Sequence, residues 1–178
     1  MAQSATEVAP RLLGCVFSTR IDGRLTAVEL TEVEAYMGVD DPASHAYRGE
    51  TARTAPMFAR GGLIYVYLSY GVHHCVNVVT GPQGAAQAVL LRGGTPVEGR
   101  EIMEHRRGRS QHLADGPGKL GQALGLTTRH SGLPIDNARI GLAPGKAPTR
   151  VLATPRVGIS RAKDRLWRFV AQPGPDHA

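Results

Sequence analysis

Five carboxylates, Glu29, Glu32, Glu34, Asp40 and Asp41, crowd one stretch of this chain, and all five tyrosines fall between Tyr36 and Tyr70. Acids in such a group can serve as general acid or base, and two carboxylates flanking a glycosidic bond are the working parts of sugar hydrolases. A solvated strand edge is the alternative for any single acid. Glu34 stands out because apolar Val33 and Ala35 flank it and Tyr36 follows. Tyr36, Tyr65, Tyr67 and Tyr70 could act as stacking platforms for bases.

Asp40, Asp41, His45, His73 and His74 could in principle ligate a metal. Adjacent histidines on a strand point to opposite faces, however, and no His-x-x-x-His or Cys-x-x-Cys spacing supports them, so no metal is expected. Only three lysines occur, Lys119, Lys146 and Lys163, all remote from the tyrosines, which disfavours Schiff-base chemistry. Gly116-Pro117-Gly118-Lys119 lacks the spacing and the Ser/Thr of a phosphate loop, although a backbone phosphate contact there is reasonable.

Short elements must position these residues. The 178 residues include 22 Gly and 12 Pro, which argues for many turns and against a helical bundle. A helix is expected over 7–13, ended by Gly14. Strands over 15–20 and 24–36 join through Asp22-Gly23, and regular pleating would set Glu32, Glu34 and Tyr36 on one face. The stretch 40–58, carrying His45, Arg48 and Arg53, reads as loops with one or two helical turns. Strands over 63–69 and 72–80 meet at Tyr70-Gly71, so Tyr70 sits at a hairpin tip, either packed back or projecting as a wedge. A third strand, 86–92, ends on Arg92. Helices follow to about Arg107 and from Gly116 to Leu124, and strand-like residues recur at 151–153 and 166–170. The expected fold is α+β: a single domain over 1–178, its core about 8–170, with a mostly antiparallel sheet and a flexible tail at 171–178.

Charge divides the chain. Positions 1–90 hold 6 Lys+Arg against 8 Asp+Glu, whereas positions 91–178 hold 15 against 7, within a net charge of +6. This suggests a reactive site beside a polyanion-binding surface, with scattered solvent-facing arginines as the plainer alternative. Two isolated cysteines and the lack of an apolar run long enough for a bilayer or a leader point to a cytoplasmic protein with no membrane partner.

In order, Glu32-Val33-Glu34-Ala35-Tyr36, Asp41-Pro42-Ala43-Ser44-His45, Thr54 to Phe58, Tyr65 to Gly71, Asn77-Val78, Ala88 to Arg92, Gly116 to Leu120 and Arg156 to Ser160 resemble the alkyladenine (3-methyladenine) DNA glycosylase family. The resemblance implies a curved sheet with short flanking helices and a protruding hairpin that enters the DNA minor groove. It also implies hydrolytic excision of alkylated purines from double-stranded DNA by a monomer, without cofactor, obligate protein partner or covalent intermediate. By this resemblance Glu34 activates the water and Arg92 helps hold it; Tyr36, His45 and Tyr67 wall the base pocket; Asn77 discourages guanine; and Tyr70 replaces the flipped nucleotide. Arg48, Arg53, Arg106, Arg107, Arg109 and Lys119 are candidate phosphate contacts. The chain departs from the family pattern at Val33, Ala52, Arg60-Gly61-Gly62, Gly93-Gly94 and Val170, none of them a site residue. A non-catalytic nucleic-acid-binding module and a nucleoside N-glycosidase are the competing readings.

Overall fold

The computed structural model describes residues 2–172. Helix α1 (Ala5–Leu12) leads into β1 (Val16–Ile21) and β2 (Arg24–Tyr36), then α2 (Ala55–Phe58), β3 (Ile64–Ser69), β4 (His73–Thr80) and β5 (Gln87–Glu98). Helices α3 (Arg100–Arg107) and α4 (Pro117–Ala123) follow, and β6 (Ile140–Ala143), β7 (Arg150–Thr154) and β8 (Arg168–Gln172) complete the order. All strand pairings among the described residues are antiparallel, in the order β3-β4-β5-β2-β1-β6 with β7 and β8 joined off that path. The sheet curls into a half-barrel, giving the α+β class and curved sheet expected.

Both expected hairpins form. Asp22 and Gly23 take φ of 52° and 73°, and Tyr70 and Gly71 take 50° and 73°, so each two-residue turn has the left-handed pair that matches strand twist. Strand β2 is the axis of the fold. Its first half pairs with β1 at Arg24 to Glu29; β5 follows the opposite edge from Ala27 to Tyr36; and β8 takes Glu32 to Glu34 on the edge that β1 vacates.

Three differences from the sequence reading have local causes. Strand β5 does not stop at Arg92 but runs to Glu98, following β2 through register shifts at Ala27/Val28, Leu30/Glu32 and Glu32/Val33. Gly94 makes that possible, because a Cβ there would lie 2.8 Å from Val28 Cγ2, and Pro96 is tolerated opposite Val28 beside a shift. Strand β6, only four residues, was not expected; β1 supplies its register. Ala171 and Gln172, assigned to the tail, pair with Val151 and Arg150, while 173–178 lie outside the described residues.

One core lies beneath the sheet, where Ala5, Val8, Ala9 and Leu12 of α1 and Leu120 and Ala123 of α4 meet Val33, Ala35, Val76, Val78, Val89 and Leu91. A smaller cluster, Ala46, Met57, Tyr65, Val79, Ala86 and Ala88, belongs to the other face. The period-2 alternation thus sends Val89 and Leu91 into the main core and leaves Leu90 and Arg92 to line a cavity. Helix α4 lies unusually close to β4, since a Cβ at Gly121 would fall 2.0 Å from the His74 carbonyl oxygen and one at Gly118 2.8 Å from His73 Cβ. No described helix is long and apolar enough to cross a membrane.

Candidate active site

Glu34 is fully buried on β2, between core residues Val33 and Ala35. Tyr36 Oη donates to its Oε2 at 2.9 Å, the Val157 backbone N–H donates to its Oε1 at 2.7 Å, and Arg92 Nη1 lies 3.4 Å from Oε2. Two neighbours donate to the carboxyl and a guanidinium lies within ion-pair distance, so its buried oxygens are satisfied. Arg92 is aimed by a second acid: its Nε donates to Glu32 Oε1 at 2.8 Å, and Arg168 Nε reaches the same oxygen at 2.7 Å. Burial works against the Arg92 charge, yet the adjacent Glu34 and Glu32 outweigh it and push its pKa up.

Tyr36 ties this acid to the aromatic wall. Burial, followed by the Glu34 carboxylate, raises its phenol well above the ordinary range, so the hydroxyl remains a donor. The Arg156 guanidinium lies 4.6 Å from the Tyr36 ring centroid, and the Trp167 ring centroid lies 5.1 Å from the same carbon. Tyr67 meets His45 edge-on, with centroids 4.4 Å apart at 87°, and Tyr65 stacks 5.8 Å from Tyr67. The Tyr65 hydroxyl lies 3.3 Å from His45 Nδ1. Burial, and then the positive Arg53, pull the His45 pKa down, which keeps the ring neutral at pH 7. Asn77, opposite Tyr65 in the ladder, is fixed by donating Nδ2–H to the Tyr65 carbonyl at 3.0 Å.

These groups surround a cavity of about 460 Å³ lined by Tyr36, His45, Tyr67, Asn77 and Arg92, with Met57 and Leu90 as apolar surface. Its size and its aromatic, polar-edged walls suit a planar heterocycle with hydrogen-bonding edges. Tyr70 lies at the mouth; at 91% exposure it is the most exposed large hydrophobic residue described. Tyr70 therefore projects from the hairpin tip rather than packing back under the turn. Pro117 of α4 and the 157–160 segment complete the rim.

The candidate phosphate contacts fare differently. Arg48, Arg53 and Arg109 are exposed. Arg106 donates to the Ala123 carbonyl at 3.0 Å and to Thr26 Oγ1 at 3.3 Å, Arg107 bonds the Gln122 side chain, and Lys119 pairs with Asp115 at 2.8 Å. Those three cations are engaged within the protein. No group of three or more His, Cys, Asp or Glu among the described residues could hold a metal ion.

The sequence placed Glu32 only among the candidate acids, gave no role to Arg168 or Arg156, and left Tyr65 outside the base pocket. Arg156 and Asp41 have fully buried side chains joined by two hydrogen bonds, one of 2.9 Å between Nη2 and Oδ1, and Arg156 Nη1 also donates to the Ala35 carbonyl at 3.0 Å. This clamp ties the His45 loop, β2 and the Val157 N–H together. The Arg156-Val157-Gly158 run was the available signal, but its partner Asp41 lies 115 residues away.

A walled-in acid at the end of an aromatic slot, with an exposed tyrosine at the entrance, is the arrangement of an enzyme that does acid–base chemistry beside a planar ring. A family model described as "Methylpurine-DNA glycosylase (MPG)" matches residues 1–175, and the chain belongs to that family. It is 47% identical over 179 residues to a Cutibacterium acnes protein, spanning 95% of this chain and 92% of the other. It is 50% identical over 177 residues to one from Frankia casuarinae (91% and 82%) and 44% identical over 169 residues to one from Corynebacterium efficiens (94% and 87%). Each relative bears the name "Putative 3-methyladenine DNA glycosylase". The chain is a base-excision repair DNA glycosylase, a hydrolase of the N-glycosidic bond.

Proposed function

We propose that this glycosylase excises alkylated purines, 3-methyladenine and 7-methylguanine among them, from double-stranded DNA in the cytoplasm, as a monomer needing no cofactor. The observation that carries the reading is Glu34, fully buried, yet bonded to Tyr36 and close to Arg92, which both line the base-sized cavity. A purine alkylated at N3 or N7 is cationic and leaves readily with the electrons of its C1′–N bond. Glu34 then takes a proton from the water whose oxygen bonds C1′, and Arg92 helps hold that water. The neutral His45 and the faces of Tyr36 and Tyr67 accept a cationic base without repulsion. Asn77, held rigidly at the cavity wall, disfavours the exocyclic amine of guanine, and Tyr70 fills the space that the flipped nucleotide leaves in the minor-groove side of the stack.

Glu34→Gln tests the assignment. We expect it to bind a duplex carrying an abasic-site analogue as wild type does, and to release base from methylated DNA about 10²–10⁴-fold more slowly in single turnover. Release at the wild-type rate would remove Glu34 from the mechanism. Equal release from methylated duplex and free methylated nucleoside would instead favour a nucleoside N-glycosidase.

A further inference from the structure

A second cavity, about 520 Å³, opens at the β1–β2 turn and is lined by Arg20, Ile21, Asp22, Gly23, Arg129, His130 and Arg139. Three of these are exposed arginines, and none of the three has an ion pair or side-chain hydrogen bond among the described residues. The one acid in the lining, Asp22, favours the charged forms of Arg106 and His130 but forms no ion pair with the three arginines among the described residues, so the cluster stays net positive. Such concentrated positive charge without carboxylate partners is self-repelling unless an anion offsets it.

His130 makes this more than a charged surface. The residue is 8% exposed, and its Nδ1 accepts the Thr127 backbone N–H at 3.0 Å, so Nδ1 carries no proton. The remaining ring proton then resides on Nε2, a donor with no protein partner among the described residues. Burial and the adjacent Arg129 lower the His130 pKa and keep the ring in this neutral form. A buried imidazole donor and three unpaired guanidinium groups line one cavity and outnumber its single carboxylate, a donor-rich set suited to phosphate oxygens.

The place of the cluster in the fold suggests which phosphate. Ser131, next to His130, accepts the Val66 backbone N–H through its Oγ, and β3 runs from Val66 towards Tyr70. We propose that Arg20, Arg129, Arg139 and His130 form a phosphodiester site that grips the backbone of the bound duplex outside the segment around the flipped nucleotide. This rests on the glycosylase reading for the position of Tyr70 in the duplex.

The test compares wild type with Arg20→Gln/Arg129→Gln/Arg139→Gln, all surface changes, on two DNAs carrying an abasic-site analogue. One is a long-armed duplex, and the other is a dumbbell whose backbone ends before the cluster. Affinity is measured across a salt series. For the long duplex, the slope of log K against log salt should become shallower by about 2 to 3 in the variant, while the two proteins behave alike on the dumbbell. Equal slopes on the long duplex would overturn the site. An equal loss on both DNAs would place the arginines beside the lesion instead, and a wild-type stoichiometry of two duplexes, falling to one in the variant, would assign the cluster to separate DNA; either result overturns the proposal. Base release from a methylated dumbbell, measured in parallel, tests the glycosylase reading by itself: its absence would refute that reading without altering the slope comparison.

Discussion

Arg156 sets the terms at the scale of single residues. Its guanidinium serves both oxygens of Asp41 and the Ala35 carbonyl while flanking the Tyr36 ring, and its neighbour Val157 holds Glu34 by the backbone N–H. Breaking one partner of a buried pair leaves the other charge uncompensated, at a cost of about 3–5 kcal/mol. Asp41→Asn should therefore be less stable by that amount at pH 7 in denaturant unfolding. Burial alone would raise the Asp41 pKa, but Arg156 more than offsets it and lowers the carboxyl below its ordinary range. The linked stability is then fully present above the unfolded-state value of about 3.9 and disappears as pH falls through the lower folded value. Wild type should consequently lose Tm steeply below about pH 4, and Asp41→Asn should show a shallower decline there. Equal stability of the two proteins at pH 7 would mean that Arg156 finds sufficient partners without the carboxylate.

Among elements, the contact of α4 with β4 decides how firmly the Tyr70 hairpin is held. Gly121→Ala puts a methyl carbon 2.0 Å from the His74 carbonyl oxygen, so helix and strand must separate. Overpacking of this kind costs about 1–3 kcal/mol, and circular dichroism melts should show that loss, with a parallel weakening of binding to an abasic-analogue duplex. Unchanged melting would show that α4 shifts freely on the sheet. The hairpins could be read in the sequence because Asp22-Gly23 and Tyr70-Gly71 carry their turn geometry locally, as Gly14 and Gly125 do for the ends of the neighbouring helices. The alternation of Glu32, Glu34 and Tyr36 was similarly visible, although the shifts beside Glu32 could not be foreseen. What escaped was settled by distant partners. Strand β5 continues past Arg92 because β2 is long enough to accept it, and β6 exists because β1 has a free edge. The Glu32–Arg168 and Asp41–Arg156 pairs span 136 and 115 residues, beyond the reach of any local periodicity.

For the whole molecule, β2 is the member that joins the two halves of the chain. It contacts β1, β5 and β8, so the acidic first half and the basic second half of the chain share one sheet and one main core. Calorimetry should accordingly show one transition whose calorimetric and van't Hoff enthalpies agree, and two resolved transitions would contradict a single domain. The charge division at position 90 thus has no counterpart in the architecture, and Arg92 itself acts beside Glu32 and Glu34 from the first half.

The same strand also divides the protein in time. Backbone amides exchange with solvent only when their local structure opens, and opening costs least at exposed tips and most where strands are paired on both edges. Glu34 belongs to a doubly flanked tract, whereas Tyr70 stands on a two-residue turn in solvent. The proposed acid is thus held in a tract that opens at high cost and the proposed wedge stands where opening costs least, so movement of the hairpin tip does not require the acid to move.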